Sequence, residues 1–230
     1  MFLLLKTGSS IKDLACHYGD FEDWMIRFMS VMRQMVKVVD VQKQALPESV
    51  DFDGILVTGA HEMVTDRHRW SEDTAAYLKK AVEAETPVFG VCYGHQLLAH
   101  ALGGVVGNHP KGPEIGTVEV ALTDDAKNDP VFKKMPKKFM AHVTHTQSVL
   151  DLPDGAVVLA SNSYEPVEAF RIGKCAWGVQ FHPEYDTIIS REYALFQKEK
   201  LKDMDRVLSS IQDTPEANTM LERFVDYCTE

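Results

Sequence analysis

The sequence predicts a single three-layer α/β domain: a central, mostly parallel sheet, additional antiparallel strands and a C-terminal helical tail. Two observations lead there. In the first half, short apolar runs alternate with stretches whose apolar residues recur every three or four positions, the mark of βαβ units on a parallel sheet. In the second half the period falls to two, with Val118, Val120 and Leu122 set between Thr117, Glu119 and Ala121, as in half-buried strands. No linker separates the halves. The main body is expected at residues 1–186, with a helical extension at residues 187–230 packed on the same domain.

In chain order, Phe2–Lys6 reads as the first strand. Its four apolar residues lack the basic segment and cleavage site of a secretion signal. A helix is expected over Phe21–Met35, where Phe21, Trp24, Met25, Phe28, Met32 and Met35 form a core-facing stripe. Strands follow at Val36–Val41 and Gly54–Thr58. The next helix starts near Glu72, with Ser71 as its N-cap and Glu72 and Asp73 at the positive end of its dipole. Pro87–Val91 is a buried strand, and Gly94–Leu102 a helix stopped by Gly103-Gly104. Further strands are expected at Phe139–Val143, Ala156–Ala160, Val167–Ile172 and Cys175–Phe181. From Thr187 the chain reads as helical, and Pro215 stands near the start of a last helix carrying Met220, Leu221, Phe224 and Val225.

Composition excludes several classes of function. A formal charge of -10 offers no basic face to a phosphate backbone, so no nucleic-acid partner is expected, and the acidity serves solubility. No apolar run is long enough to cross a membrane. The four cysteines, Cys16, Cys92, Cys175 and Cys228, are far apart and form no CxxC pair. That is neither a disulfide framework nor a zinc ribbon, and it fits a cytoplasmic protein. No Walker-type phosphate loop is present, and His142-x-x-His145 lacks a third ligand at suitable spacing, so neither cofactor nor metal is expected.

The chemistry concentrates in Pro87-Val88-Phe89-Gly90-Val91-Cys92-Tyr93-Gly94-His95-Gln96. Gly-x-Cys-x-Gly between a strand and a helix matches the nucleophile elbow written for serine as G-x-S-x-G. The turn is so tight that side chains on both flanks would strike neighbouring backbone. Its nucleophile meets a helix N-terminus, a setting that favours the thiolate, and the Tyr93 N–H points at a developing oxyanion. A thiol nucleophile needs a base, and the base a group that fixes its tautomer. His182 follows the strand Cys175–Phe181, at the sheet rim where α/β enzymes place their sites. Pro183 restricts its backbone, and Glu184 can fold back onto the imidazole. Read alone, His-Pro-Glu is equally a turn with a solvated glutamate; beside the elbow it completes a triad.

These blocks, with Asp53-Gly54-Ile55-Leu56-Val57-Thr58-Gly59-Ala60 and Leu102-Gly103-Gly104, resemble the class I glutamine amidotransferases, most closely the free-standing amidotransferase domains similar to that of GMP synthase. A looser match runs from Leu152-Pro153-Asp154-Gly155 to Ser161. The resemblance implies a flavodoxin-like three-layer fold and a Cys92–His182–Glu184 triad that hydrolyses the γ-amide of glutamine through a γ-glutamyl thioester. It further implies oxyanion donors at Gly59, Ala60 and Tyr93, contacts to substrate from Gln96, His145 and Thr146, and a separate synthetase or acceptor enzyme as partner.

The chain departs from the family pattern at Thr58-Gly59-Ala60-His61, where Ser-Gly-Gly-Pro is usual, and a left-handed backbone at Ala60 would be strained. His145-Thr146-Gln147 lacks an acidic residue, and Tyr185-Asp186-Thr187 replaces the His-Thr and Gly typical of GMP synthases. His61 and His68 lie in a polar loop beside the oxyanion segment, where two readings stand, gating of entry and the commoner idle loop histidine, and Lys198, Lys200 and Lys202 read as a solvated helix face. Two rival readings stand beside glutaminase: a γ-glutamyl peptidase acting on other γ-glutamyl compounds, and a silent homologue that binds a metabolite or partner. The tail has three places open to it: on the sheet, over the site, or in a homodimer interface.

Overall fold

The computed structural model describes residues 1–201 and 203–230. Its strands are β1 (Phe2–Lys6), β2 (Val36–Asp40), β3 (Ile55–Val57), β4 (Val88–Val91), β5 (Val105–Asn108), β6 (Glu114–Leu122), β7 (Lys138–His145), β8 (Gln147–Asp151), β9 (Ala156–Ser161), β10 (Ala169–Ile172) and β11 (Ala176–Val179). The helices are α1 (Lys12–Tyr18), α2 (Phe21–Phe28), α3 (Arg69–Glu83), α4 (Tyr93–Ala101), α5 (Thr187–Phe196), α6 (Met204–Ser210), α7 (Pro215–Asn218) and α8 (Met220–Thr229). Nine strands form one sheet in the order β2-β1-β3-β4-β11-β10-β9-β6-β7, and β5 pairs β8 in a separate ribbon. From β2 to β11 the neighbours are parallel; from β11 to β7 they are antiparallel.

Alternation along the buried strands separates two cores. Phe2, Leu4, Leu56, Phe89 and Val91 meet Met25 and Met29 near α2 and Leu221 and Phe224 of α8 on one face. Leu3, Leu5, Ile55, Val57 and Val88 meet Leu78 of α3 and Leu97 and Leu98 of α4 on the other. The result is a three-layer α/β fold with helices on both faces of the sheet. The C-terminal helices lie against it: Phe224 packs on Phe89 at 5.2 Å between ring centroids and on Trp177 at 6.1 Å. No helix among the described residues is long and apolar enough to cross a membrane.

Several expectations need correcting. The helix expected over Phe21–Met35 stops at Phe28, because Ser30 adopts φ +54° and turns the chain. Met32 and Met35, beyond that turn, are 60% and 38% exposed and leave the core stripe. Helix α3 begins at Arg69, capped by the His68 backbone, so Ser71 is not its cap. Ser71 is buried, with its Oγ 2.6 Å from the Tyr93 hydroxyl. Helix α1 and the ribbon strands β5 and β8 add elements that the patterning did not predict. Lys202 lies outside the described residues.

Candidate active site

Strand β4 runs straight into Cys92, and α4 begins one residue later. Cys92 has φ +50° and ψ −100°, a conformation that L-residues rarely adopt. The turn closes only because both flanking positions are glycine. A Cβ at Gly90 would stand 2.4 Å from the Gly94 carbonyl, and one at Gly94 would stand 2.6 Å from the Val57 oxygen. The Cys92 N–H donates to Val179 O at 2.8 Å, tying the elbow to β11. That bond leaves the N–H groups of the first turn of α4, starting at Tyr93, as donors without an intrahelical acceptor.

His182 lies just past β11, and its N–H donates to the His142 carbonyl at 2.8 Å. Its Nδ1–H donates to Glu184 Oε1 at 2.7 Å, and both side chains are buried. The other ring nitrogen, Nε2, is buried and makes no hydrogen bond of ordinary geometry. Burial alone would push the imidazole's pKa down; the charges of Glu184 and of a Cys92 thiolate outweigh it and raise His182 to about 10. Tyr185 stacks on the same imidazole, with centroids 4.0 Å apart and planes 18° apart. The His182–Tyr185 turn is held from below by Asn218 at the end of α7, whose Nδ2 donates to Pro183 O (2.7 Å) and Tyr185 O (2.9 Å).

The loop after β3 brings Gly59 close to both nucleophile and histidine. A Cβ at Gly59 would lie 3.3 Å from His182 Cε1, 3.8 Å from Cys92 Cβ and 3.9 Å from Phe21 Cε1. Neither Gly59 nor Ala60 has a positive φ, so Ala60 is accommodated without the strain expected of it. The N–H groups of Gly59 and Ala60 find no acceptor among the described residues. The loop is fastened by Thr7, whose N–H donates to Thr58 Oγ1 (3.0 Å) and whose hydroxyl contacts Gly59 O (3.0 Å).

Cys92 and His182 open into a cavity of about 420 Å³. One end is polar, formed by Gln96 and the segment Thr144-His145-Thr146-Gln147. The Gln96 side-chain Nε2 donates to Gln147 O (2.7 Å) and Gln180 Oε1 (2.9 Å), so its donors are already engaged. His145 is also held from behind, with Nδ1 at 3.0 Å from Gln147 O and Nε2 at 3.1 Å from Glu114 Oε2. Thr146 lies between β7 and β8 at the cavity wall. Behind this end, Glu114, Glu165 and Glu168 form a buried acidic cluster that the sequence does not reveal, since Glu114 opens β6 while Glu165 and Glu168 lie some fifty residues on, in the loop between β9 and β10. Burial, then the neighbouring Glu114 and Glu165, hold the Glu168 carboxyl well above the usual carboxylate range, while Asn162 Nδ2 donates to its Oε1 at 2.7 Å.

Another part of the lining is aromatic, with Glu62, Glu199 and Lys200 also on the cavity wall. His61 is not idle: its Nε2 is 3.0 Å from the Tyr193 hydroxyl, and its ring stacks on Phe196 with centroids 5.9 Å apart and planes 20° apart. Phe21 meets the His61 ring edge-on at 6.1 Å. Lys200 lines the cavity mouth, where a solvated helix face was expected. His142 is buried on β7 with Nδ1 2.9 Å from Thr117 Oγ1, and burial pushes it down to about 4. No group of three or more His, Cys, Asp or Glu among the described residues is arranged to hold a metal ion.

Residues 16–200 match the sequence model of the family described as glutamine amidotransferase class-I. The chain belongs to that family. It is similar to a GMP synthase [glutamine-hydrolyzing] of Aeropyrum pernix, with 34% identity over 180 residues; the match covers 77% of this chain and 33% of that protein. The chain thus spans about a third of that relative's length. It is also similar to γ-glutamyl peptidase 5 of Arabidopsis thaliana, at 28% identity over 191 residues, covering 80% of this chain and 75% of the other. Among solved structures, a glutamine amidotransferase from Thermotoga maritima superimposes with a TM-score of 0.78 over 100% of this chain and 98% of its own. At 18% identity, that last likeness is one of fold.

Proposed function

We propose that this class I amidotransferase-family domain hydrolyses the γ-amide of glutamine or a related γ-glutamyl compound, with Cys92 as nucleophile. The observation that carries this reading is the strained cysteine elbow facing a histidine whose far nitrogen is bonded to a buried glutamate. With His182 raised to about 10, its proton is in place for the leaving amine, and in the reactive form the sulfur stands beside it as thiolate. The Cys92 sulfur attacks the γ-carbonyl carbon, and the oxyanion is received by N–H groups of Gly59, Ala60 and Tyr93. Such donors are worth about 3–4 kcal/mol each. The C–N bond breaks as His182 gives its proton to the departing amine. Water, deprotonated by the now neutral His182, then attacks the thioester, freeing glutamate and restoring the pair. Glu184 fixes the tautomer and stabilises the imidazolium. The glutamyl half lies at the polar end, against Gln96, His145 and Thr146.

The resemblance to an A. pernix GMP synthase supports glutamine as substrate, and a separate synthetase or acceptor enzyme is the partner that this reading carries with it. The resemblance to a plant γ-glutamyl peptidase, together with the size of the cavity, supports larger γ-glutamyl compounds. The test is labelling of Cys92 by a diazoketone analogue of glutamine, alongside glutamate release from glutamine. Wild type should be labelled at Cys92 and turn over; Cys92→Ala should do neither while keeping its circular dichroism. Glutamate release by Cys92→Ala at the wild-type rate would remove the mechanism, and an unlabelled, inactive wild type would leave the silent homologue.

A further inference from the structure

The lining of the catalytic cavity is polar in one part and aromatic in another, and Cys92 has neighbours in both. Cys92 Sγ is 4.0 Å from the Thr144 carbonyl on the polar side, while a Cβ placed at Gly59, beside both Cys92 and His182, would lie 3.9 Å from Phe21 Cε1 on the aromatic side. A γ-glutamyl group carries an α-amino and an α-carboxylate, and an apolar wall cannot replace the water those charges lose. The glutamyl half therefore belongs at the polar end. Whatever is attached to its γ-nitrogen then extends toward Phe21, His61, Tyr193 and Phe196.

Ammonia requires nothing of that end, yet it is built. The loop after β3 and the tail helix α5 come from distant parts of the sequence. They are joined there by the contact between His61 Nε2 and the Tyr193 hydroxyl and by the His61–Phe196 stack. The Gln197 side-chain amide donates to Thr144 Oγ1, fixing the end of α5 across the cavity to β7. Phe196 remains 59% exposed at the mouth, a large aromatic ring with one face covered by His61 and surface left for a ligand. The cavity of about 420 Å³ lies within the range of about 300–1,000 Å³ that encloses ligands considerably larger than glutamine.

We propose that this aromatic end is a leaving-group subsite, and that the substrates are γ-glutamyl amides of aromatic amines or aromatic amino acids. The proposal rests on γ-glutamyl cleavage at Cys92 and adds what lies beyond the γ-nitrogen. The step balances with one water: the C–N bond is replaced by a C–S bond, the aromatic amine departs with the His182 proton, and hydrolysis of the thioester yields glutamate.

The experiment measures kcat/KM for γ-glutamyl-phenylalanine, γ-glutamyl-alanine and glutamine with wild type and Phe196→Ala. Phe196 is exposed, so its truncation spares the fold. Wild type should favour the phenylalanine compound over the alanine compound by about tenfold or more, as burial of an extra apolar group in a pocket allows. In Phe196→Ala that preference should fall at least about fivefold. A preference near one in wild type, or one that Phe196→Ala leaves in place, overturns the subsite while γ-glutamyl hydrolysis stands. Release of glutamate from none of the three compounds overturns the hydrolytic reading beneath it.

Discussion

Replacing Glu184 by glutamine tests how the site holds its proton. The carboxylate oxygen is 2.7 Å from His182 Nδ1, and both groups are buried. At a charge separation of about 4 Å and an effective dielectric near 20, the lost attraction is about 4 kcal/mol. At about 1.4 kcal/mol per factor of ten, that is nearly three powers of ten in the proton affinity of the imidazole. Glutamine keeps an oxygen that accepts from Nδ1–H, so the ring stays oriented while the charge is lost. His182, raised to about 10 in the wild type, should therefore titrate near neutrality in Glu184→Gln. The sign is fixed by the chemistry: above its pKa the imidazole has no proton for the leaving amine, so activity falls on the alkaline side. The alkaline limb of the kcat/KM profile should move down by about two to three pH units, and kcat/KM should drop by about tenfold at pH 8 and about a hundredfold at pH 9. Alkylation of Cys92 by iodoacetamide at either pH should slow with it, because the thiolate loses its counter-ion. An alkaline limb that stays in place in Glu184→Gln would refute the Glu184 charge as what holds the proton on His182.

Two further outcomes follow from the strained elbow and the buried acid. Backbone strain of about 1–3 kcal/mol at the φ of +50° disappears with glycine but persists with alanine; the extra chain entropy of glycine offsets about 0.5–1 kcal/mol of this, so at a net of about 1 kcal/mol Cys92→Gly should melt about 2–4 °C above Cys92→Ala. Equal melting temperatures would mean the elbow is relaxed. Glu168 has a folded pKa raised above the ordinary 4.5, so the stability it lends is complete below that value and is lost as pH rises toward the folded pKa. Glu168→Gln removes this dependence, and its advantage over wild type should grow across that window by up to about 1.4 kcal/mol per pH unit in denaturant unfolding. Parallel stability curves would show that Glu168 ionises as freely in the folded protein as in the unfolded chain.

What the sequence disclosed depended on the range of the interaction. The elbow was legible because its constraint is local: Gly90 and Gly94 flank Cys92, and the collisions that exclude side chains there arise within one turn. The buried strands were legible from unbroken apolar runs such as Leu3-Leu4-Leu5. The α2 stripe misled beyond Phe28 because periodicity continues in composition after Ser30 has turned the backbone. The ribbon of β5 and β8 escaped because Val105 and Leu150 face outward and give no alternating pattern. The aromatic end of the cavity escaped for a different reason. His61 and Phe196 meet only through the tertiary fold, and each alone looks like a surface residue.

The hold of Asn218 on the Pro183 and Tyr185 carbonyls sets an order of events during synthesis. Cys92 leaves the ribosome early, His182 and Glu184 later, but the turn carrying them acquires its clamp only once α7 has emerged. The sheet beneath likewise gains Phe224 only with α8. A nascent chain that stops short of these helices keeps the His182 bonds to His142 and Glu184 but lacks the clamp beneath the turn that carries them. Full reactivity is thereby deferred until nearly the whole domain has been made. Stalled chains of increasing length should bind the diazoketone at the full rate only after the α7 and α8 residues have cleared the exit tunnel.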